Sequence, residues 1–275
     1  MEHRSLSTLN VGHRGASRLA PENTLAGARK ALQVGADMWE LDVAVTADGV
    51  LVLAHDDSLL RTSNARAVFP EREPWLLKDF TLAELRQLDF GSWFNATAPP
   101  STDPHGPAAV AEYAAEPIPT LREALLFTRE HSWRVDVELK DLKGAPGERH
   151  VVEDSIDLIQ ELGMLGDVLV TSFQARFLQR ARQLAPDLSL GVLVFTPDPD
   201  PAGLVQRLSV QAYLPPAHAT PPLQVEQLRA AGLEVYPWTV NDEAAMREYI
   251  LAGASGILTD VPHRLRSILD ESRRA

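Results

Sequence analysis

Two histidines, an arginine and two paired acidic residues fall within one short stretch of this sequence, between Asn10 and Asp56. Gly12-His13-Arg14-Gly15 is followed by Pro21-Glu22-Asn23-Thr24, then by Glu40-Leu41-Asp42, then by His55-Asp56. Each group sits where an apolar run ends or turns, which is where a barrel or an open parallel sheet presents side chains to a ligand. An imidazole titrates near neutrality and can give or take a proton. The guanidinium offers a contact for an anion and the carboxylates a seat for a cation. The inventory is that of metal-assisted chemistry on an anion.

A third strand extends the set. Glu40 and Asp42 are two apart, so their side chains share one face of a strand. Glu138 and Lys140 repeat that spacing further on. Two carboxylates from one strand and one from its neighbour can converge on a single cation. The chain has no cysteine, and an all-oxygen donor set favours Mg²⁺ or Ca²⁺ over zinc. The plainer alternative is that these charges face water on half-exposed strands. On the inner face of a barrel that alternative loses weight against a metal site, because inward charges are costly unless paired or metal-bound. His13 and His55 bracket the carboxylates and are the candidate acid–base pair. His3, His105, His131, His150, His218 and His263 have no comparable setting and read as structural or solvent-facing. Arg14 and Lys140 would offset the acidic cluster and meet phosphate oxygens, the first with a planar fork and the second as a point charge. Either could equally form a salt bridge to a neighbouring carboxylate, and the two roles are compatible.

The elements that must position these residues follow from length and pattern. With 275 residues and 45% hydrophobic content, the chain is long enough for one large α/β domain. Its net charge of −12 argues against general binding to nucleic acid or anionic membrane. Met1 to Thr8 lacks the apolar core of a signal peptide, and no run approaches the roughly 18 apolar residues of a membrane span. A soluble cytoplasmic protein acting on a small molecule is expected.

Leu9 to Gly12 reads as a strand, followed by a helix capped at Asn23 or Thr24 and stopped at Gly35. Met38 to Val45 and Val50 to Ala54 read as strands joined by a turn at Asp48-Gly49. From Leu60 to Pro117 the pattern weakens, apart from a helix over Thr81 to Leu88 with Thr81 as cap and Glu84 three residues on. Such a segment is either an inserted lobe over an active site or a surface loop. Regular alternation then resumes. Helices are predicted at Leu121 to Glu130, Glu148 to Leu162, Ala175 to Leu184, Gly203 to Leu208, Leu223 to Ala231, Glu243 to Leu251 and Pro262 to Asp270. Strands are predicted at Arg134 to Leu139, Val168 to Thr171, Leu188 to Val194, Val210 to Leu214, Glu234 to Trp238 and Gly256 to Thr259. Setting aside Val50 to Ala54 as antiparallel leaves eight β/α units, which imply a closed barrel. The sixth unit is the weakest. The whole chain, 1–275, reads as one (β/α)₈ catalytic domain, with 60–117 inserted after the second strand unit.

At these residues the sequence resembles the glycerophosphodiester phosphodiesterase family. The matching pieces are His13-Arg14-Gly15-Ala16, Pro21-Glu22-Asn23-Thr24, Glu40-Leu41-Asp42-Val43 and His55-Asp56 with Arg61-Thr62. Further on come Gly91-Ser92-Trp93-Phe94, Ile118-Pro119-Thr120-Leu121, Glu138-Leu139-Lys140, Ser172-Phe173, Trp238-Thr239-Val240-Asn241 and Gly256 to Pro262. Each motif is weak alone; together, in order, they span residues 13 to 262. The resemblance implies a TIM barrel with a small inserted lobe. It makes His13 and His55 the acid–base pair and Glu40, Asp42 and Glu138 the ligands of one divalent cation. Arg14 and Lys140 become phosphate contacts and Trp238 a wall of the pocket. The implied products are glycerol 3-phosphate and an alcohol. Two positions depart from the family pattern: Ser255, where Asp is frequent, and Ser63-Asn64-Ala65, where a glycine-containing turn is common. Both bear on substrate preference. A lysophospholipase D-type activity on lipid headgroups would use the same site, with Trp75, Leu76, Leu77, Trp93 and Phe94 as an apolar rim or as lobe core. A barrel that binds phosphodiesters without turnover would have lost a histidine or a carboxylate, and none is missing.

Overall fold

The computed structural model describes residues 8–97, 113–143 and 145–274. His3, His105 and the polar run from Ala98 to Gly106 lie outside the described residues. Nine strands are described: β1 Leu9–Gly12, β2 Met38–Val45, β3 Leu51–Leu53, β4 Arg134–Leu139, β5 Val168–Ser172, β6 Ser189–Leu193, β7 Ala212–Leu214, β8 Glu234–Val235 and β9 Gly256–Thr259. Eight run parallel in the order β8-β7-β6-β5-β4-β2-β1-β9, and β3 turns back antiparallel on β2. Helices cover the connections, as parallel crossovers require.

Alternation along the strands divides the interior in two. Trp39, Leu41 and Val43 of β2 and Val135, Val137 and Leu139 of β4 pack with the helices in one large apolar cluster. The intervening positions point the other way. Val11, Met38, Leu169, Leu193, Ala212, Leu214, Tyr236 and Leu258 form a separate cluster drawn from strands around the ring, which is the filling of the barrel itself. On β2 and β4 that inward face carries acids. The register sets Glu40 beside Asp136 and Asp42 beside Glu138, so four carboxyl groups share one side of two adjacent strands.

The helix starts follow their caps. Thr24 Oγ1 accepts from Gly27 N at the head of Leu25–Gln33. Thr120 with Glu123 and Thr81 with Glu84 form reciprocal capping boxes. Several sequence-based boundaries shift. The helix expected over Glu148 to Leu162 is a 3₁₀ turn, Pro146–Arg149, and then an α-helix, Val151–Glu161, because Pro146 starts the turn and His150 departs from helical geometry. The helix at Thr81 shortens to Leu82–Leu85, and the last one extends to Pro262–Arg274.

The strand expected over Glu234 to Trp238 shortens to Glu234–Val235, since Pro237 lacks the N–H that a continued ladder needs. The seam between β8 and β9 is nevertheless bonded. Ser255 N donates to Val235 O at 2.9 Å, Leu258 N to Pro237 O at 3.1 Å, and Val240 N to Leu258 O at 2.9 Å. Ser255 also accepts, through Oγ, from Val235 N at 3.0 Å. The hydroxyl at this departure from the family pattern therefore adds a side-chain bond to the backbone bonds that cross the seam. Residues 57–97 bury Leu59, Trp75, Leu77, Phe80, Leu85 and Phe90 together with Ala44, Val52 and Ile118. Trp75, Leu77 and Phe94 are buried side chains rather than an apolar rim. No helix among the described residues is long and apolar enough to cross a membrane.

Ser255→Ala should leave circular dichroism unchanged and lower the unfolding free energy in urea by about 1 kcal/mol, because Val235 N–H loses its acceptor. A variant as stable as the parent would refute the role of the hydroxyl at the seam.

Candidate active site

The turn after β1 is built for close approach. Gly15 N donates to Gly12 O at 3.1 Å, with Gly15 at φ +88° and its α-carbon pressed against Gly27; a Cβ there would come within 2.6 Å of the Gly27 carbonyl carbon. Glycine meets both demands at no steric cost. Arg14 adopts φ +55°, and its backbone N donates to Glu40 Oε2 at 2.7 Å. Asn23, also left-handed at φ +53°, donates Nδ2 to Asp42 Oδ2 at 2.8 Å and accepts from Asp42 N at 3.0 Å. Since β1 pairs with β2 only as far as Trp39, Asn23 serves the part of β2 that β1 no longer reaches.

Glu40, Asp42 and Glu138 are all buried, and each offers an oxygen within 4.8 Å of the others. Lys140 Nζ lies 3.0 Å from Glu138 Oε1 and 3.4 Å from Asp42 Oδ1. Arg14 Nε lies 3.4 Å from Asp42 Oδ2. Burial and the neighbouring Asp42, Glu138 and Asp136 push Glu40 well above the usual carboxylate range. Burial and Asp42 likewise raise Glu138. Burial works the same way on Asp42, but Arg14, Lys140 and His55 outweigh it and hold the group at about 2. Asp136, with only Thr171 Oγ1 donating to it at 2.7 Å among the described residues, is pushed by burial to about 8. Three buried carboxyl groups crowded together are the donor set a hard divalent cation would relieve. Asp42 Oδ1 and Glu138 Oε1 are buried and accept no well-aligned hydrogen bond among the described residues. The donors therefore fit such an ion.

Each candidate histidine is held by a carboxylate through Nδ1. His13 Nδ1 is 2.7 Å from Asp260 Oδ1, and Asp260 also accepts from Asn241 Nδ2 at 2.6 Å and Ser17 Oγ at 3.1 Å. Burial disfavours the Asp260 charge, yet the bonds from His13, Asn241 and Ser17 prevail and hold it at about 2. His55 Nδ1 is 2.7 Å from Asp56 Oδ1, and the bond from His55 together with Arg61 holds Asp56 below the usual range. An ionised acceptor at Nδ1 fixes the proton there and leaves Nε2 for a ligand.

A cavity of about 680 Å³ brings together His13, Arg14, Glu40, His55, Glu138, Lys140 and Trp238, seven of the eight residues singled out in the sequence. Asp42 completes the acidic trio beside it. One flank is aromatic. Trp238, anchored by Nε1 to Leu214 O at 2.9 Å, meets Phe173 edge-on at 5.7 Å, and Phe195 stacks on Phe173 at 4.0 Å. Sequence reasoning gave no site role to Asp260, Asn241, Asp56, Glu22, Asp136 or Phe195, and offered Asn23 only as an alternative helix cap, a place that Thr24 takes. Asp56 could have been found from its adjacency to His55. Nothing in spacing links Asp260 to His13 across 247 residues.

Asp260 provides a test of this geometry. A group held at about 2 against an ordinary 3.8 contributes stability above pH 4 that is lost as pH falls toward 2, about 2 kcal/mol at neutrality. Asp260→Asn should thus be about that much less stable in urea at pH 7, with the gap to wild type shrinking as the pH is lowered through 4. A gap that does not change with pH would refute the ionised contact.

Comparison with known proteins places the chain in a family. The Glycerophosphoryl diester phosphodiesterase family matches residues 13–264. A glycerophosphodiester phosphodiesterase of Caldanaerobacter subterraneus subsp. tengcongensis is 32% identical over 265 residues, covering 96% of this chain and 98% of that one. One of Bacillus subtilis is 32% identical over 261 residues, covering 92% and 84%. Among solved structures, an Oleispira antarctica phosphodiesterase in complex with the product sn-glycerol-3-phosphate superposes with a TM-score of 0.82 at 29% identity, covering 97% of this chain and 98% of that one. With nearly its whole length matched in sequence and in fold, this chain belongs to the glycerophosphoryl diester phosphodiesterase family.

Proposed function

We propose that the protein hydrolyses glycerophosphodiesters to glycerol 3-phosphate and an alcohol, with His13 and His55 as the acid–base pair. The observation that carries this reading is their convergence on one cavity with the acidic trio, each imidazole backed by a carboxylate at 2.7 Å. Family membership and the product-bound relative support the same reaction class. Residues 1–275 act as a single barrel domain, with 60–117 as a lobe inserted after the second strand unit.

Glu40, Asp42 and Glu138 would hold one divalent cation, Mg²⁺ or Ca²⁺, which when bound supplies Lewis-acid stabilisation of charge on the phosphoryl oxygens. The rest falls to side chains of this chain. Arg14 and Lys140 receive the phosphate and offset charge developing in the transition state. One imidazole takes the proton of the attacking hydroxyl, from water or from the substrate's own 2-hydroxyl. The other delivers a proton to the departing alcohol. Asp260 and Asp56 keep the two rings in the tautomer that presents Nε2. Trp238 and Phe173 give the substrate a dry wall, which strengthens each charged contact opposite.

A second reading has one observation in its favour. Phe195 is 70% exposed at the cavity edge, stacked on Phe173, and could meet the acyl chain of a lysophospholipid in a lysophospholipase D-type reaction.

The deciding assay is release of glycerol 3-phosphate from glycerophosphocholine and glycerophosphoethanolamine, with EDTA and then with Mg²⁺ or Ca²⁺ restored, and lysophosphatidylcholine in parallel. Release that EDTA abolishes and the ion restores is expected; no release from the glycerophosphodiesters under any condition would refute the proposal. His13→Ala and His55→Ala should each lower kcat by about 10²–10⁴-fold while remaining folded, and near-normal turnover in both would remove the acid–base assignment. Glu40→Ala should weaken binding of the ion itself, measured by calorimetry on the unliganded protein. An unchanged isotherm would exclude Glu40 as a ligand.

A further inference from the structure

The proposed phosphate contact Arg14 and the proposed acid–base residue His55 are joined by a continuous run of ion pairs that passes through Arg61. Arg61 Nε donates to Asp56 Oδ2 at 2.7 Å, and the other oxygen of Asp56 holds His55 Nδ1. Its two terminal nitrogens donate to the two oxygens of Glu22, each at 2.7 Å. Glu22 Oε1 also accepts from Arg14 Nη1 at 3.0 Å. One planar guanidinium thus serves two carboxylates with all three nitrogens, which a lysine cannot do. The ring of Trp93, from the segment 57–97, lies 5.8 Å from the guanidinium, a cation–π contact on its remaining face.

Exposed ion pairs ordinarily add little, and the Arg61 side chain is 43% exposed. Its partner changes the balance. The Glu22 side chain is only 11% exposed and has two guanidinium groups competing for it. Burial disfavours its charge, and Arg61 ahead of Arg14 keeps it ionised. Without Arg61, Glu22 would keep Arg14 as its only ion-pair partner among the described residues and draw it away from Asp42, now 3.4 Å from Arg14 Nε. Asp56 would at the same time lose the donor on its second oxygen, and His55 the fixed orientation of its partner.

We infer that Arg61 is a positioning residue with two outputs. It neutralises Glu22, so that Arg14 stays available to the substrate phosphate, and it locks Asp56 against His55. The inference rests on the function proposed above for Arg14 and His55, and the segment carrying Trp93 acquires a part in it by covering Arg61.

The test uses Arg61→Met, Arg61→Lys, Glu22→Gln and the double variant Arg61→Met/Glu22→Gln. Three quantities are read: kcat for glycerophosphocholine, affinity for glycerol 3-phosphate by calorimetry, and melting temperature. Arg61→Met should lower kcat on the order of 10–100-fold and weaken glycerol 3-phosphate about tenfold, with little change in melting temperature. A lysine reaches one carboxylate only, so Arg61→Lys should recover kcat or affinity but not both. It also replaces Arg61→Met if that variant fails to fold. In the double variant the uncharged amide introduced at position 22 no longer captures Arg14, so affinity should return toward the wild-type value while kcat stays low. Wild-type kcat and affinity in Arg61→Met would overturn the inference. So would losses that follow melting temperature with no recovery in the double variant. Affinity is read without turnover, so a wild-type protein with no phosphodiesterase activity would sink the proposed function while affinity still decided the role of Arg61.

Discussion

The rest of the site depends on one electrostatic constraint: carboxyl groups of like charge are buried side by side on two parallel strands. Once β2 and β4 pair in the observed register, Asp42 and Glu138 are neighbours, with Glu40 and Asp136 beside each other one step down. Burial alone would neutralise all four. The surrounding groups answer this unequally. Arg14 and Lys140 keep Asp42 charged, whereas Glu40 and Glu138 remain raised. A bound divalent cation would require all three to be ionised; Arg14 and Lys140 would then leave the trio at −1 by formal count, and the cation itself would bring it to +1. A phosphodiester anion would be attracted by that state. On the proposed chemistry, metal and substrate are thereby coupled through charge before any bond is made.

Strand periodicity explains why so much of this was legible without coordinates. A spacing of two residues forces Glu40 with Asp42, and Glu138 with Lys140, onto shared faces, and the count of eight β/α units implies that these faces turn inward. The eight parallel strands are all present, including the sixth-unit strand near Val210 to Leu214, which the pattern marked only weakly and which survives as Ala212–Leu214. Boundaries moved where tertiary structure overrode local preference, as at His150 and at Pro237.

What stayed hidden was what closure brings together. Asp260 and Asn241 follow the last strands and His13 follows the first, so their meeting is a consequence of the ring and not of any local pattern. Ser255 illustrates the same point. As a departure from a family motif it points to substrate preference; its hydroxyl in fact bonds Val235 N across the seam. The aromatic residues of the 60–117 segment were ambiguous for a different reason. A tryptophan or leucine in an irregular stretch carries no periodicity to say which way it faces, and only packing reveals Trp75 and Leu77 as interior.

The two histidines are supported in unlike ways. Asp260 accepts hydrogen bonds from two neutral donors, Asn241 and Ser17, at the seam of the barrel, with Arg18 Nε in a looser ion pair at 3.9 Å. Asp56 is anchored by a charged guanidinium that also answers to Glu22, and it lies nearer solvent, with its side chain 31% exposed against 19% for Asp260. The closest partners of Asp260 besides His13 are thus uncharged, and the seam that brings them together exists only because the ring closes. Asp56 instead divides its two oxygens between His55 and Arg61, both at 2.7 Å, so the orientation of that carboxylate depends on a side chain from the segment that follows β3.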